Sequence, residues 1–373
     1  MKGRSWAYYY LGVLFLVGLL ANVLANDRPI VAGYGGRVHW PALSATVPPD
    51  VAPDWAVWPP VRYRASATDL SVVAYRPPLA SPRGEQPRHW LGTDRLGRDT
   101  LAGLINGTRV AVFVGLGSLV VSLLVGLPLG AVAGFFGNGG LRISRAGLVA
   151  LVLGGPIGVA YALGSLLPLV GFGVKFVCML LLAVAIGVGS CWLLLLPLKR
   201  WFPGLRRCAG VPIDGAVLLV LELTASIPGL VLLIALLAFV DRPPLYLVVL
   251  VIGLLGWTPV ARFLRAELLR IRELPYIAAA RMARVGELRL MLRHALPNAV
   301  GPVAVVAAFM VGGSILAEAM LSFLGIGVPA DQVTWGSMLQ QSRAYPYAWW
   351  LAVFPGLLLT LTVLACNSLR RAT

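Results

Sequence analysis

The sequence predicts an all-α, polytopic membrane protein of about eight transmembrane helices with a small extracytoplasmic segment. Three observations predict it: the composition, the length of the apolar runs, and the placement of the basic residues. Of 373 residues, 58% are hydrophobic and 12% charged, against about 25% charged in a soluble globule. Mean hydropathy is +0.83. The apolar residues gather in runs of about 20, the length a helix needs to cross roughly 30 Å of hydrocarbon. Backbone polar groups in lipid must be satisfied within the segment, and no alternating ten-residue pattern points to a barrel.

The spans, in order, are about 6–25, 108–135, 146–167, 172–196, 215–240, 244–262, 300–324 and 349–369. The first resembles a secretory signal in its basic start and its Val23–Ala25 ending, but its apolar run is longer than the ~7–15 residues of a signal core, so an uncleaved anchor over 1–25 is expected. Gly154–Gly155–Pro156 interrupts the third span, and Lys175 near the start of the fourth is close enough to an end to snorkel. Lys2 and Arg4 put the N-terminus inside. Arg142 and Arg145, the Lys199–Arg200–Arg206–Arg207 cluster, the 263–299 loop and Arg370–Arg371 then all fall inside as well, and the short outer loops keep only Arg242 and Arg343. That bias is what the positive-inside rule demands, so the net charge of +16 records orientation rather than nucleic-acid binding. Cys178, Cys191, Cys208 and Cys366 lack metal-ligand spacing, and no cofactor site is read.

Residues 26–107 form the extracytoplasmic segment. Up to residue 88 it is rich in Pro and Trp (VHWPAL, VPPDVAPDW, VWPPVRYR), which prevents long helices and predicts short strands and turns. It is either a structured linker or a surface that receives a partner or gates entry. HWLGTDRLGRDTLAGLINGTRV follows. Gly92 and Gly97 suit tight turns, and Asp94 and Asp99 are suited to capping a short helix over 100–106.

Between the sixth and seventh spans lies YIAAARMARVGELRLMLRHALPN, residues 276–298. Met282, Val285, Leu288, Met291 and Leu292 recur at helical spacing, and Pro275 and Pro297 bracket them, which predicts a short amphipathic helix over 278–293 parallel to the membrane. Its bland reading is an interfacial helix lying among headgroups.

This loop resembles the coupling loop of ABC-importer permeases, approximately E-A-A, three residues, G, nine residues, I-x-L-P. Ala279, Ala280, Leu296 and Pro297 match, as do Tyr276, Arg281, Arg293, His294 and Asn298 of the peptide-permease version. The motif Glu is Ala278 and the motif Gly is Arg284, with Gly286 two residues late; a divergent but working interface is expected, with Leu288 and Arg281 in contact with the ATPase. The resemblance extends to Gly92-Thr93-Asp94 and Gly97-Arg98-Asp99, the outer-mouth signature of C-type dipeptide/oligopeptide permeases. It also takes in Asp214 through Pro228, Gly256-Trp257, Arg265, Glu267, Glu318, Leu321 to Gly325, Trp335-Gly336 and Phe354-Pro355-Gly356. It covers about 88–140 and 212–370, and the long external segment is similar to the microcin C/oligopeptide branch.

The resemblance implies a six-helix permease core, made of the span in 108–140 and the region 212–373 together with the N-terminal anchor. The two spans of 141–211 are then an inserted hairpin, either lipid-facing or contacting an accessory subunit. It further implies a permease subunit of an importer for peptides or peptide-like solutes in a bacterial inner membrane. That subunit would work with a second homologous permease, two cytoplasmic ATPases and an extracytoplasmic solute-binding protein. No G-x-x-x-x-G-K-[ST] loop occurs, so ATP would be hydrolysed on the partners and the chain would not be an enzyme. Glu222 and Glu318 fall within predicted spans, where a charge costs about 2.5–3.5 kcal/mol on insertion scales. They are either hydrogen-bonded to a neighbouring helix or part of a polar path. A proton-coupled secondary transporter that uses them is the rival mechanism, and a non-transporting membrane protein the other.

Overall fold

A computed structural model of the chain describes residues 2–34, 37–42, 53–68, 74–80, 87–144, 186, 189, 208–238, 240, 243–329 and 332–369. The third predicted span, all but two positions of the fourth, and the 199–207 basic cluster lie outside the described residues. The described chain is mostly helical. Its helices are α1 (Lys2–Leu19), α2 (Ala21–Leu24), α3 (Thr100–Phe136), α4 (Ile213–Ser226), α5 (Gly229–Leu237), α6 (Leu245–Ile271), α7 (Pro275–Met282), α8 (Glu287–Leu290), α9 (Leu296–Phe323), α10 (Trp335–Ala344) and α11 (Trp350–Leu369). A π-helical turn, Met291–Ala295, joins α8 to α9.

Among the described residues, α3, α6, the continuous run Glu287–Phe323 and α11 are long and apolar enough to cross a membrane; α4 and α5 taken together make a fifth, and α1 is a shorter apolar helix. Four predicted boundaries shift. The span expected from 300 belongs to a run that begins at Glu287 and passes through Pro297, which was expected to end the loop helix but sits in the first turn of α9, where a missing N–H is tolerated. The short helix expected over 100–106 and the following span are one helix of 37 residues, because Gly107 does not interrupt α3 but admits Trp335. The span predicted to end at Arg262 continues as helix to Ile271. The span predicted over 215–240 is broken, because Pro228 has no N–H to donate and leaves the helical region at ψ 120°.

The chain divides into two units, one of Met1–Leu127, Thr224–Phe263 and Ala299–Thr373, the other of Pro128–Leu223 and Leu264–Asn298. Within the first unit, one core gathers Trp335, Met338, Trp350 and Leu351 with Ala102, Leu104 and Ile315. A second core packs Val110 and Val114 of α3 on Leu233, Leu237, Val248, Ile252 and Leu321. Ser118 and Ser122 of α3 donate to the carbonyls of Val249 and Gly253 at 3.1 and 2.7 Å. Close approach is possible there because Gly253 has no side chain: a Cβ would sit 2.5 Å from that of Val121.

The expected strands of the 26–88 region are present as an antiparallel sheet of order β2-β1-β3, where β1 is Val31–Tyr34, β2 is Arg37–His39 and β3 is Trp55–Val57. Ala32 pairs with His39 on one side and Ala56 on the other. In the second unit, strands not foreseen from the sequence close the base of the 141–211 segment: β4 (Asn138–Ser144) pairs antiparallel with β5 (Cys208–Pro212), in the register Ser144↔Cys208 and Ile143↔Ala209.

Candidate functional site

The segment between α6 and α9 is an elbow of two helices, which corrects the single amphipathic helix expected over 278–293. Pro275 opens α7 at a position where the missing N–H costs nothing. The helix stops at Ala283 because the chain turns left-handed at Arg284, φ 57°. Arg284 N–H donates to the Arg281 carbonyl at 2.9 Å and Val285 N–H to the Ala280 carbonyl at 3.1 Å. This pair of bonds is a Schellman closure, with Arg284 at the position glycine ordinarily fills. The motif glycine of the resembled family is therefore a backbone requirement here, met by a residue with a side chain. Gly286 does not take over that role: it sits at φ −60°, ψ 138° as the N-cap of α8, with open space where a Cβ would be.

Ile277, Leu290, Met291 and Ala295 face inward and are buried. Tyr276, Met282, Leu288 and Leu292 are exposed, Met282 by 80% and Leu288 by 60%. Ala278, Ala279, Arg281, Arg284, Arg289, Arg293 and Pro297 are exposed beside them, while Ala280 and Leu296 are half-buried. The elbow thus presents a surface of large apolar side chains among guanidinium groups. Such a surface loses free energy to water unless something covers it.

Two polar ties hold the elbow's shape. Arg281 reaches across the break, its Nε donating to Glu287 Oε1 at 3.0 Å and its Nη2 to Oε2 at 3.4 Å, while its guanidinium lies 5.8 Å from the Phe135 ring. Asn298 Nδ2 donates to the His294 carbonyl at 2.7 Å and to Tyr276 Oη at 3.4 Å, joining the two ends of the elbow. Where the family motif places a carboxylate, Ala278 offers none; the carboxylate nearest Arg281 is Glu287, which sequence spacing did not single out. Asp214 of α4 holds Arg265 of α6 through a two-bond fork, one bond being 2.7 Å from Nη2 to Oδ2.

The Gly92–Asp99 motif lies in the first unit and is a closed knot. Gly92 (φ 79°) and Gly97 (φ 72°) take left-handed turns. Asp99 Oδ1 caps α3 by accepting from Ala102 N–H at 2.7 Å, as expected. Asp94 does not cap a helix. Its Oδ1 accepts from the N–H groups of Leu96 and Arg98, and its Oδ2 from Arg98 Nε at 2.9 Å, so it ties its own turn. Thr93 accepts at its carbonyl from Trp350 Nε1 at 3.1 Å, and buried His89 meets Asp99 Oδ2 at 2.9 Å under the Tyr63 ring.

The two carboxylates expected within spans differ in their surroundings. Glu318 is buried at 2% exposure and accepts from Ser322 Oγ at 2.7 Å, with the Thr334 hydroxyl also against it. Glu222 is exposed on α4 between exposed Leu219 and Leu223.

Apolar spans joined by an exposed basic elbow define a membrane-embedded protein. The family model for the binding-protein-dependent transport system inner membrane component matches residues 207–372. The chain is 30% identical over 285 residues to a di/tripeptide transport system permease protein, DppC, of Pseudomonas aeruginosa, covering 76% of this chain and 70% of the relative. It is 27% identical to a peptidoglycan transport system permease protein, YejE, of Agrobacterium fabrum, across 93% of this chain and 82% of the relative. An inner membrane ABC transporter permease protein, YejE, of Escherichia coli is 26% identical across 93% and 85%. The chain belongs to the permease family of binding-protein-dependent ABC importers and is a multi-pass inner-membrane subunit of such a system. Systems of this kind include ATPase and binding-protein partners, and the proton-coupled carrier is not favoured.

Proposed function

We propose that the chain imports peptides or peptide-like solutes as one of two homologous permeases, with two cytoplasmic ATPases and an extracytoplasmic binding protein. The observation that carries this reading is the elbow, whose exposed Tyr276, Met282, Leu288 and Leu292 lie among arginines between two apolar spans. The elbow docks in the ATPase, and ATP-driven closure moves it as a lever that tilts α6 and α9 between inward-open and outward-open states. Hydrolysis belongs to the ATPase partners, and this chain does no bond chemistry. The full bundle has eight spans with both termini in the cytoplasm, and 26–107 lies outside. Relatives named for di/tripeptide and peptidoglycan transport support a peptide-like cargo.

The test is mild-detergent recovery of the tagged chain from its native membrane, with quantification of what accompanies it. A second permease and the ATPases are expected with the wild type. Arg281→Asp and Leu288→Asp should each lower ATPase recovery at least severalfold while the chain itself accumulates normally. Undiminished recovery with both substitutions would refute the docking role of this surface.

A further inference from the structure

The first unit contains a cleft that the elbow and the Gly92–Asp99 motif leave unused. It has a volume of about 780 Å³ and lies among the end of α1, α2, the start of α3, residues 41–42 and 64–66, Leu245 and Gln332. That is within the roughly 300–1,000 Å³ of small-molecule sites.

Its polar lining is strongly one-sided. Arg28, Arg64 and Arg109 contribute guanidinium groups, and Asp27 contributes the single carboxylate. Arg109 Nη1 donates to Asn22 Oδ1 at 2.9 Å, which fixes its head at the cleft. The side chains of Arg28 and Arg64 have no hydrogen-bond or ion-pair partner among the described residues, and both are exposed. Guanidinium groups present planar forks matched to carboxylates. The carboxamides of Asn106 and Gln332 can serve peptide groups, and Phe113 and Leu245 give an apolar wall.

We infer that this cleft binds the C-terminal carboxylate of a short peptide, with Arg28 and Arg64 as its fork. The inference rests on the peptide-import reading and adds to it a recognition element on the permease itself, where solute leaving a binding protein would first meet this chain.

The test uses the full chain in phosphatidylcholine nanodiscs, titrated with trialanine and with trialanine carboxamide, which differ only in the terminal carboxylate. Trialanine should bind about tenfold more tightly or better, the ratio expected for loss of a charge-assisted hydrogen bond. Arg28→Ala/Arg64→Ala should abolish that preference, and Arg28→Lys/Arg64→Lys should keep part of it. Both positions are exposed, so the substitutions leave the two cores intact. Equal affinity for acid and amide, or a preference that survives the alanine pair, overturns the inference. Repeating the titration in phosphatidylglycerol nanodiscs separates solute from lipid: an unchanged preference supports the peptide site, whereas its loss assigns the arginines to headgroup phosphate and overturns it. ATPase recovery from native membranes is read independently. Its failure alongside an intact acid preference would count against the importer reading and leave the cleft assignment standing.

Discussion

Replacing Arg284 with glycine should tighten the elbow. A residue with a Cβ pays about 1–2 kcal/mol to sit in the left-handed region that Arg284 occupies at φ 57°. Glycine removes that cost but brings roughly 0.5–1 kcal/mol of extra chain entropy in the opened state. The net gain is about 0.5–1 kcal/mol, which slows local opening about two- to fivefold. Hydrogen–deuterium exchange of peptides covering 276–290, on the intact chain in nanodiscs, reads that factor directly. The amides of Arg284 and Val285, which donate in the helix closure, should change most. Arg284→Ala is the deciding control, because it deletes the charge and keeps the Cβ. Its exchange should match the wild type. Gly286→Ala should be within about 0.5 kcal/mol of wild type, since φ −60° suits any residue and its Cβ meets nothing. If Arg284→Gly and Arg284→Ala slow exchange equally, the backbone argument is wrong and the effect belongs to the guanidinium. Faster exchange in the glycine variant would refute it outright.

Two further predictions concern the spans. Asp214→Asn should lower the unfolding temperature of the detergent-purified chain by removing one side of a largely buried fork, at a cost of about 1–3 kcal/mol, and Asp214→Arg/Arg265→Asp should recover part of it. No recovery in the exchanged pair would show that the fork is incidental to stability. Gly107→Ala should destabilise by about 1–3 kcal/mol, because its Cβ would fall 2.8 Å from Trp335 Nε1 in a buried contact. Gly301→Ala on α9, where a Cβ meets nothing, should be neutral or stabilising in the same melt, and equal losses at both positions would remove Trp335 as the cause.

What could be read from the sequence followed from local physics. Apolar runs located the long spans that the described residues contain, and the Pro/Trp-rich stretch announced strands rather than helix, whereas the largely polar α10 carried no such signal and Pro297, expected to end the loop helix, lies within the run Glu287–Phe323. Asp99 was legible as a cap because the signal is a short polar side chain just ahead of a helix. The misses depend on partners distant in sequence. Gly107 reads as a helix interruption until Trp335 is seen to fill the space. The stop after Ala283 was hidden because arginine carries no left-handed signal. Glu287 gained meaning only once the break at Arg284 brought it back to Arg281. Glu222 and Glu318 look equivalent as lone carboxylates in apolar runs, yet one is tied inside and the other is exposed, and hydropathy alone has no term for facing.

The β4–β5 ladder brings the two ends of the 145–207 stretch together. Facing residues in an antiparallel pair have their Cα atoms about 4.5–5.5 Å apart, so Ser144 and Cys208 stand at neighbouring points in space. A change in the length of chain between them would leave α3 and α4 able to keep their places, because the point of exit and the point of return are neighbours. Exchange, expansion or trimming of 145–207 should therefore leave the framework on either side with the same endpoints, anchored by the Ser144–Cys208 pair.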